Sequence, residues 1–311
     1  MSSMTAEPFV HPALFYRDQE SYLTGTVPFI THGLAAGEPV AVAVPAARLR
    51  LLRGALGADA DQVRLIDMEE AGRNPGRIIP RVLRAFADAH ADRRVRIIGE
   101  PIWAGRSEDE YPACVQHEAL INHAFTGRHV TILCPYDTGT LAPRVIADAH
   151  ATHPVVIEDT VERVSHGYAP DDTIAAYNQA LRHPPGVASF SFDADRLPQA
   201  RQFVTGRAAS LGLSRDRLED LALAVAELTT NSVVHAGGSG ILRLWAADGQ
   251  VICEVTDEGH LADPLAGRRP PRPGQLGGRG LLLVHCVSDL VRVHTTSTGT
   301  TVRFHLDQDR P

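Results

Sequence analysis

Short, continuous apolar runs punctuate the first half of the chain: Val40–Val44, Val63–Met68, Val95–Glu100, Val130–Cys134 and Val155–Ile157. Runs of this length, rich in β-branched residues and without polar alternation, are the pattern of strands buried on both faces of a parallel sheet. Between them, Ala46–Leu56, Gly76–Ala91 and Tyr111–Phe125 carry helical spacing. Alternating strands and helices predict a doubly wound α/β domain with right-handed crossovers. A polar stretch with one helix, from about Ser165 to Leu181, then ends at His183-Pro184-Pro185-Gly186, which breaks helix and strand alike. The expected division is therefore a first domain over 1–164, a helical connector over 165–188 and a second domain over 189–311.

The second half has a different rhythm. Ser189–Asp193 alternates as a strand, and a helix follows from Pro198 to Leu211 with proline in its first turn. Ser214 is placed to cap a long helix reaching about Ala236. Strands Ile241–Ala246 and Val251–Thr256 flank Asp248-Gly249, a hairpin-turn pair. A loop rich in Gly, Pro and Arg, Gly259–Gly278, precedes a helix from Gly280 to Val287. Strands Leu290–Thr295 and Thr301–Leu306 complete the pattern. This predicts an α+β sandwich, with helices on one face of a mainly antiparallel sheet.

Composition removes several functions. The net charge of −7 and the lack of a basic cluster argue against nucleic-acid binding. No apolar run reaches the ~20 residues of a bilayer span, and Met1–Pro12 does not read as a secretion signal, so a cytoplasmic protein is expected. Cys114, Cys134, Cys253 and Cys286 stand singly, as reduced core thiols do, with neither disulfide nor zinc-site spacing. The chain contains no lysine, and all 30 basic residues are arginine. Mechanisms that require a P-loop lysine, a Schiff-base lysine or a kinase strand lysine are excluded.

The long helix carries Glu227, Asn231 and His235 at a spacing of four, which keeps them on one drifting stripe. Alone, the stripe reads as a solvated helix face. Three later features change that. Asp257-Glu258-Gly259 ends a strand, Gly277-Gly278-Arg279-Gly280 opens a helix, and Gly299-Thr300 opens the last strand. Glycines at a helix start let backbone N–H groups approach phosphate, and the helix dipole favours the anion.

This ordered triple, over Phe190 to Leu306, resembles the ATP-binding fold shared by gyrase, Hsp90 chaperones, histidine kinases and MutL. Within it, the chain is most similar to the anti-sigma-factor serine kinases. The resemblance implies ATP and Mg²⁺ as cofactors. It implies Asn231 as Mg²⁺ ligand, Glu227 as general base, and Asp257 as acceptor for the adenine amine. Gly259 would let adenine lie against the backbone, Thr300 would support that edge, and Gly278 and Gly280 would cradle phosphate. His235 matches the end of the helical motif without an assigned role. Cationic help would come from Arg268, Arg269, Arg272 or Arg279, each of which is equally compatible with a solvated lid. Where histidine kinases usually carry a second glycine after Gly259 there is Leu261, and His166 and His183 lack the context of a phosphoacceptor on a dimerising helix.

The first half has no phosphate-binding Gly-Lys loop, so a RecA-like sheet there would be catalytically silent. His11-Pro-Ala-Leu-Phe15-Tyr16, Val27-Pro-Phe-Ile with Gly33-Leu34 and Gly37-Glu38, Gly99-Glu100-Pro101-Ile-Trp103, Cys134-Pro-Tyr136-Asp137 and His153-Pro154 resemble the MEDS sensory domain of DcmR-type regulators. The resemblance implies a sensor of a small-molecule signal. His11, Tyr16, Glu100, Trp103, Tyr136 and Asp137 are the candidate pocket, with Glu100, Trp103, Tyr136 and Asp137 falling just after strands, where α/β sheets bind ligands. Trp103 and Tyr136 are equally readable as core aromatics. His117, His123, His150 and His153 match no closed metal set and read as solvated or structural. Sensor plus kinase implies partner switching between a sigma factor and a small STAS-type antagonist, and a homodimer is compatible with that arrangement. A non-catalytic ATP-binding docking module and a histidine-kinase-like two-component sensor stand as rivals.

Overall fold

In the computed structural model, residues 8–271 and 278–308 are described. The chain divides into two compact units, Met1–Tyr177 and Asn178–Pro311.

The first unit is a sheet with helical crossovers. Its strands are β1 (Phe9–Val10), β2 (Pro12–Tyr16), β3 (Val40–Val44), β4 (Arg64–Asp67), β5 (Val95–Gly99), β6 (Val130–Asp137), β7 (Val155–Glu158) and β8 (Val161–Val164). They lie in the order β4-β3-β5-β6-β2-β7-β8, with β1 also against β6. Every pairing is parallel except β7 with β8. All five residues of β2 and of β3 are buried, as strands covered on both faces must be.

Two helices here differ from what periodicity suggests. Gln19–Ala35 is helical through Pro28, held at its start by a capping box between Asp18 and Ser21. The stretch expected as one helix over Gly76–Ala91 is a 3-10 turn (Pro75–Arg77), a π-helical turn (Ile78–Leu83) and an α-helix (Arg84–Ala89). Pro80 lies inside the π-turn; it has no N–H for an α-helical bond, and the ladder widens around it.

The helix expected in the connector spans Pro170–Ala176 and packs on the Tyr111–Ala124 and Pro143–Thr152 helices. The Tyr177 hydroxyl donates to Asp148, and its ring meets Tyr111 edge-on. These contacts carry the first unit to Tyr177, beyond the 1–164 span that chain punctuation suggests.

The second unit contains β9 (Ala188–Asp193), β10 (Ser239–Ala247), β11 (Gln250–Asp257), β12 (Leu290–Thr296) and β13 (Gly299–Asp307). All pairings are antiparallel, in the order β12-β13-β11-β10-β9. Helices Leu197–Ser210, Arg215–His235 and Gly280–Val287 cover one face. Leu221, Val225 and Leu228 of the long helix meet Leu242, Leu244, Val251, Cys253 and Phe304 of the sheet in one core. Asp248 and Gly249 both take positive φ, 50° and 73°, as the tight hairpin turn requires. Ser214 precedes the long helix as expected, but its side chain makes no capping hydrogen bond.

Candidate functional site

The core of the second unit turns one stripe of the long helix away from the sheet's hydrophobic face and toward its end. There, Asn231, His235, Asp257, Gly259, Gly278, Arg279, Gly280 and Thr300 line one cavity of about 660 Å³. That volume is in the range of small-molecule sites. Glu227 does not line the cavity, but its carboxylate adjoins Gly280, which does. A Cβ added at Gly280 would lie 2.7 Å from Glu227 Oε2 and 3.0 Å from Asn231 Nδ2. Only glycine lets the start of this helix approach the carboxylate and amide so closely.

Asp257 is held from two sides. The Gly259 N–H donates to Oδ1 at 2.9 Å, and the Ser232 hydroxyl donates to Oδ2 at 2.6 Å. An ionised carboxylate accepts about four hydrogen bonds, so capacity for a ligand donor is left. A Cβ at Gly259 would lie 2.4 Å from Ala236 Cβ. The Thr300 hydroxyl donates to the Gly259 carbonyl at 2.8 Å and lies 2.8 Å from the Thr295 hydroxyl, which accepts from the Leu261 N–H. The loop after β11 is thereby tied to β12 and β13. Sequence reasoning missed Ser232 and Thr295; nothing in helical or strand periodicity separates them from neighbouring polar residues.

Of the loop arginines, Arg269 and Arg279 line the cavity. Arg269 also pairs with Asp263, and Arg268 is buried. Arg272 and Gly277 lie outside the described residues.

In the first unit the six candidate pocket residues do not form one group. Tyr16, Glu100 and Asp137 come together at the carboxyl ends of β2, β5 and β6, joined by Arg48. The Tyr16 hydroxyl donates to Glu100 Oε1 at 3.1 Å, and Arg48 donates to the Tyr16 oxygen at 3.0 Å and to Asp137 Oδ2 at 3.3 Å. The Arg48 guanidinium also lies over the rings of Tyr16 and Tyr22. Burial pushes the Glu100 carboxyl up to about 8, against the opposing pull of Arg48 and the Tyr16 hydrogen bond. Glu100 Oε2 and the Tyr22 hydroxyl make no hydrogen bond. Arg48 was missed because it sits in an ordinary amphipathic helix.

His11 and Tyr136 belong to a second group. His11 is fully buried beside Glu118, Cys134 and His153, and the Tyr136 ring meets His153 edge-on. Burial pushes the His11 imidazole down to about 4 and the Cys134 thiol up. Burial alone would raise Glu118, but His11 and His153 beside it hold its carboxyl below the usual range. Trp103 is in neither group; the Arg106 guanidinium covers its ring at 3.9 Å.

The comparisons with known proteins follow this division. Residues 10–154 match the family described as MEDS, the MEthanogen/methylotroph, DcmR Sensory domain. Residues 190–306 match the histidine kinase-like ATPase domain, the class that the sheet, the helices and the cavity define. The chain is 34% identical over 109 residues to the serine-protein kinase RsbW of Halalkalibacterium halodurans, covering 31% of this chain and 67% of that protein. It is 35% identical over 116 residues to the RsbW serine-protein kinase of Bacillus licheniformis, covering 33% of this chain and 72% of that protein. By its second unit, the chain belongs to the RsbW family of serine-protein kinases.

Among solved structures, the RsbU and RsbW domains of a Mycobacterium tuberculosis protein match at 20% identity with a TM-score of 0.31, covering 42% of this chain and 34% of that one. The histidine kinase AdeS of Acinetobacter baumannii matches at 12% identity with a TM-score of 0.25, covering 46% of this chain and 83% of that one. Among the described residues, no helix is long and apolar enough to cross a membrane.

Proposed function

We propose that the chain is a signal-responsive anti-sigma regulatory factor. It binds Mg·ATP in the second unit and phosphorylates a serine or threonine of a small STAS-type antagonist, with a sigma factor as the alternative partner. The observation that carries this reading is the single cavity into which Asn231, Asp257, Gly259, Gly278, Gly280 and Thr300 converge, with Glu227 beside Gly280.

ATP supplies the phosphoryl group; the residues bind, orient and take a proton. Asp257, already oriented by Ser232 and the Gly259 N–H, accepts from the adenine amine. The bare backbone at Gly259 lets the base lie close. Gly278 and Gly280, at the start of an eight-residue helix, offer N–H groups and a helix dipole to phosphate. Asn231 offers an amide oxygen to Mg²⁺, a hard cation that prefers oxygen. Glu227 takes the proton from the attacking hydroxyl, the role a positioned carboxylate fills in general base catalysis. Arg279 and Arg269 stand for the absent lysine as cations at the cavity.

A second reading, an ATP-binding docking module without transfer chemistry, is favoured by one observation: Glu227 is not among the residues that line the cavity. Labelled ATP incubated with this protein and candidate STAS-type proteins separates the two. Serine- or threonine-bound label that depends on Glu227 supports the kinase; tight ATP binding with no label on any antagonist supports the docking module.

The first unit is proposed to sense a small-molecule signal. The support is the Arg48–Tyr16–Glu100–Asp137 network at the carboxyl edge of its parallel sheet, the end at which such sheets bind ligands.

A further inference from the structure

Four side chains from four separate elements meet inside the first unit. His11 directly precedes β2, Glu118 is on the Tyr111–Ala124 helix, Cys134 is in β6, and His153 follows the Pro143–Thr152 helix. All four are fully buried, and one ligand-type atom from each lies within 4.8 Å of all the others. Cys134 Sγ is 3.4 Å from His11 Nε2; Glu118 Oε2 is 3.4 Å from His11 Nε2 and 3.2 Å from His153 Nε2.

The surroundings fix which atoms face inward. Asn122 Nδ2 donates to the carbonyl of Thr152 at 2.9 Å and of Ala119 at 3.1 Å, so its Oδ1 accepts from His11 Nδ1 at 3.1 Å. His153 Nδ1 lies 2.9 Å from the Ala149 carbonyl, to which it donates. With both Nδ1 atoms engaged outward, both Nε2 atoms face the centre. They face a carboxylate whose two oxygens make no hydrogen bond, and His153 Nε2 makes none either. Two imidazole nitrogens, a thiol and a carboxylate converging without solvent are unfavourable unless a proton or a metal ion lies among them.

We propose that His11, Glu118, Cys134 and His153 form a closed binding site for a divalent transition metal of the zinc type. The ligand set of two imidazoles, a thiolate and a carboxylate suits such an ion, and four protein ligands without a water position mark a structural site. Zinc–nitrogen and zinc–oxygen bonds of about 2.0–2.1 Å and a zinc–sulfur bond of about 2.3 Å place tetrahedral neighbours roughly 3.3–3.6 Å apart. The observed separations of 3.2 and 3.4 Å are of that size. Binding releases the Cys134 proton to solvent as the thiolate joins the metal. The outward hydrogen bonds of both histidines are the supporting contacts that such ligands use to hold tautomer and ring orientation. The ion would pin the start of the unit to β6 and to two helices, closing loops of over a hundred residues.

The test uses tag-free, full-length protein purified without chelators. Elemental analysis is expected to find one equivalent of a transition metal per chain. Protein refolded with Co²⁺ is expected to show the intense visible bands of tetrahedral cobalt and a near-ultraviolet sulfur-to-cobalt band. Cys134→Ser removes the sulfur band, Glu118→Gln lowers metal content, and Asn122→Ala weakens cobalt affinity about 10–100-fold through the freed His11 ring. If a variant fails to fold, the metal content and cobalt spectrum of the unaltered protein decide alone. Metal-free protein that gives no tetrahedral cobalt spectrum overturns the site, as does metal retained in full by both Cys134→Ser and Glu118→Gln.

Discussion

The cavity of the second unit and the polar groups of the first are both built at the ends of strands, but solvent treats them differently. Around the cavity, Asn231 and Asp257 are half-buried and His235 is exposed, and Asp257 has hydrogen-bond partners from within the protein on both of its oxygens. In the first unit, Glu100, His11, Glu118 and His153 are buried, and several of their polar atoms have no hydrogen bond. A wet, internally satisfied site can exchange a ligand without cost to the fold. A dry, unsatisfied one stores a demand for a proton or a cation, so its chemistry and its stability are coupled.

The largest effect should appear where the second unit does chemistry. Glu227→Ala is expected to lower phosphotransfer to an antagonist about 10²–10⁴-fold while ATP affinity changes only a few-fold. Transfer at full rate would assign Glu227 to support of Gly280 alone, and the wet site would then be for docking.

Next comes the pH response of the dry site. The Glu100 carboxyl, at about 8 in the fold and near its ordinary value when unfolded, binds a proton in the folded state that the unfolded chain has lost. The associated stability is complete at pH below about 4.5, declines as pH rises, and is gone above about 8, an effect on the order of 5 kcal/mol. Glu100→Gln should flatten this decline in the thermal transition of the first unit. An unchanged slope in the variant would show that Glu100 does not drive it.

Asp257→Asn should weaken ATP binding by about 1.5–3 kcal/mol, since a charged acceptor becomes an amide with one accepting atom. Calorimetry returning equal affinities for both proteins would remove Asp257 from the nucleotide site. The smallest effect, about 1–2 kcal/mol, is expected for Gly259→Ala, whose methyl would press on Ala236. Denaturant titration measures the loss of stability; a fully neutral substitution would mean the loop moves aside easily and is no fixed wall for a base.

Much of this was legible along the chain. Buried runs such as Val40–Val44 and the Ala46–Leu56 helix have the bounds that their pattern suggests. In the second unit every strand and helix lies within a few residues of its expected span, helped by two local hairpins, β10 with β11 and β12 with β13. β2 was not legible as a strand: Pro12–Tyr16 is short and sits between β6 and β7, partners over a hundred residues away. The Gln19–Ala35 helix was hidden by Gly25, Pro28 and Gly33. A Cβ at Gly25 would meet Leu14 at 2.6 Å, so close packing on the sheet, not helix propensity, decides that residue.

The same division governs the sites. By itself the sequence determined which residues gather around the second unit's cavity, because Asn231 and His235 share a helical stripe and the other motifs fall at strand ends and a helix start, positions that local pattern specifies. Only the tertiary structure decided that Tyr16, Glu100 and Asp137 share a network with Arg48, that His11 and Tyr136 belong elsewhere, and that Trp103 stands apart. Only the tertiary structure brought His11, Glu118, Cys134 and His153 together. Their spacings of 107, 16 and 19 residues encode no local motif. They meet because a parallel sheet sets distant strands side by side, Cys134 of β6 opposite Ala13 of β2, and its crossover helices fold back over them, a relation of topology that no window of sequence contains.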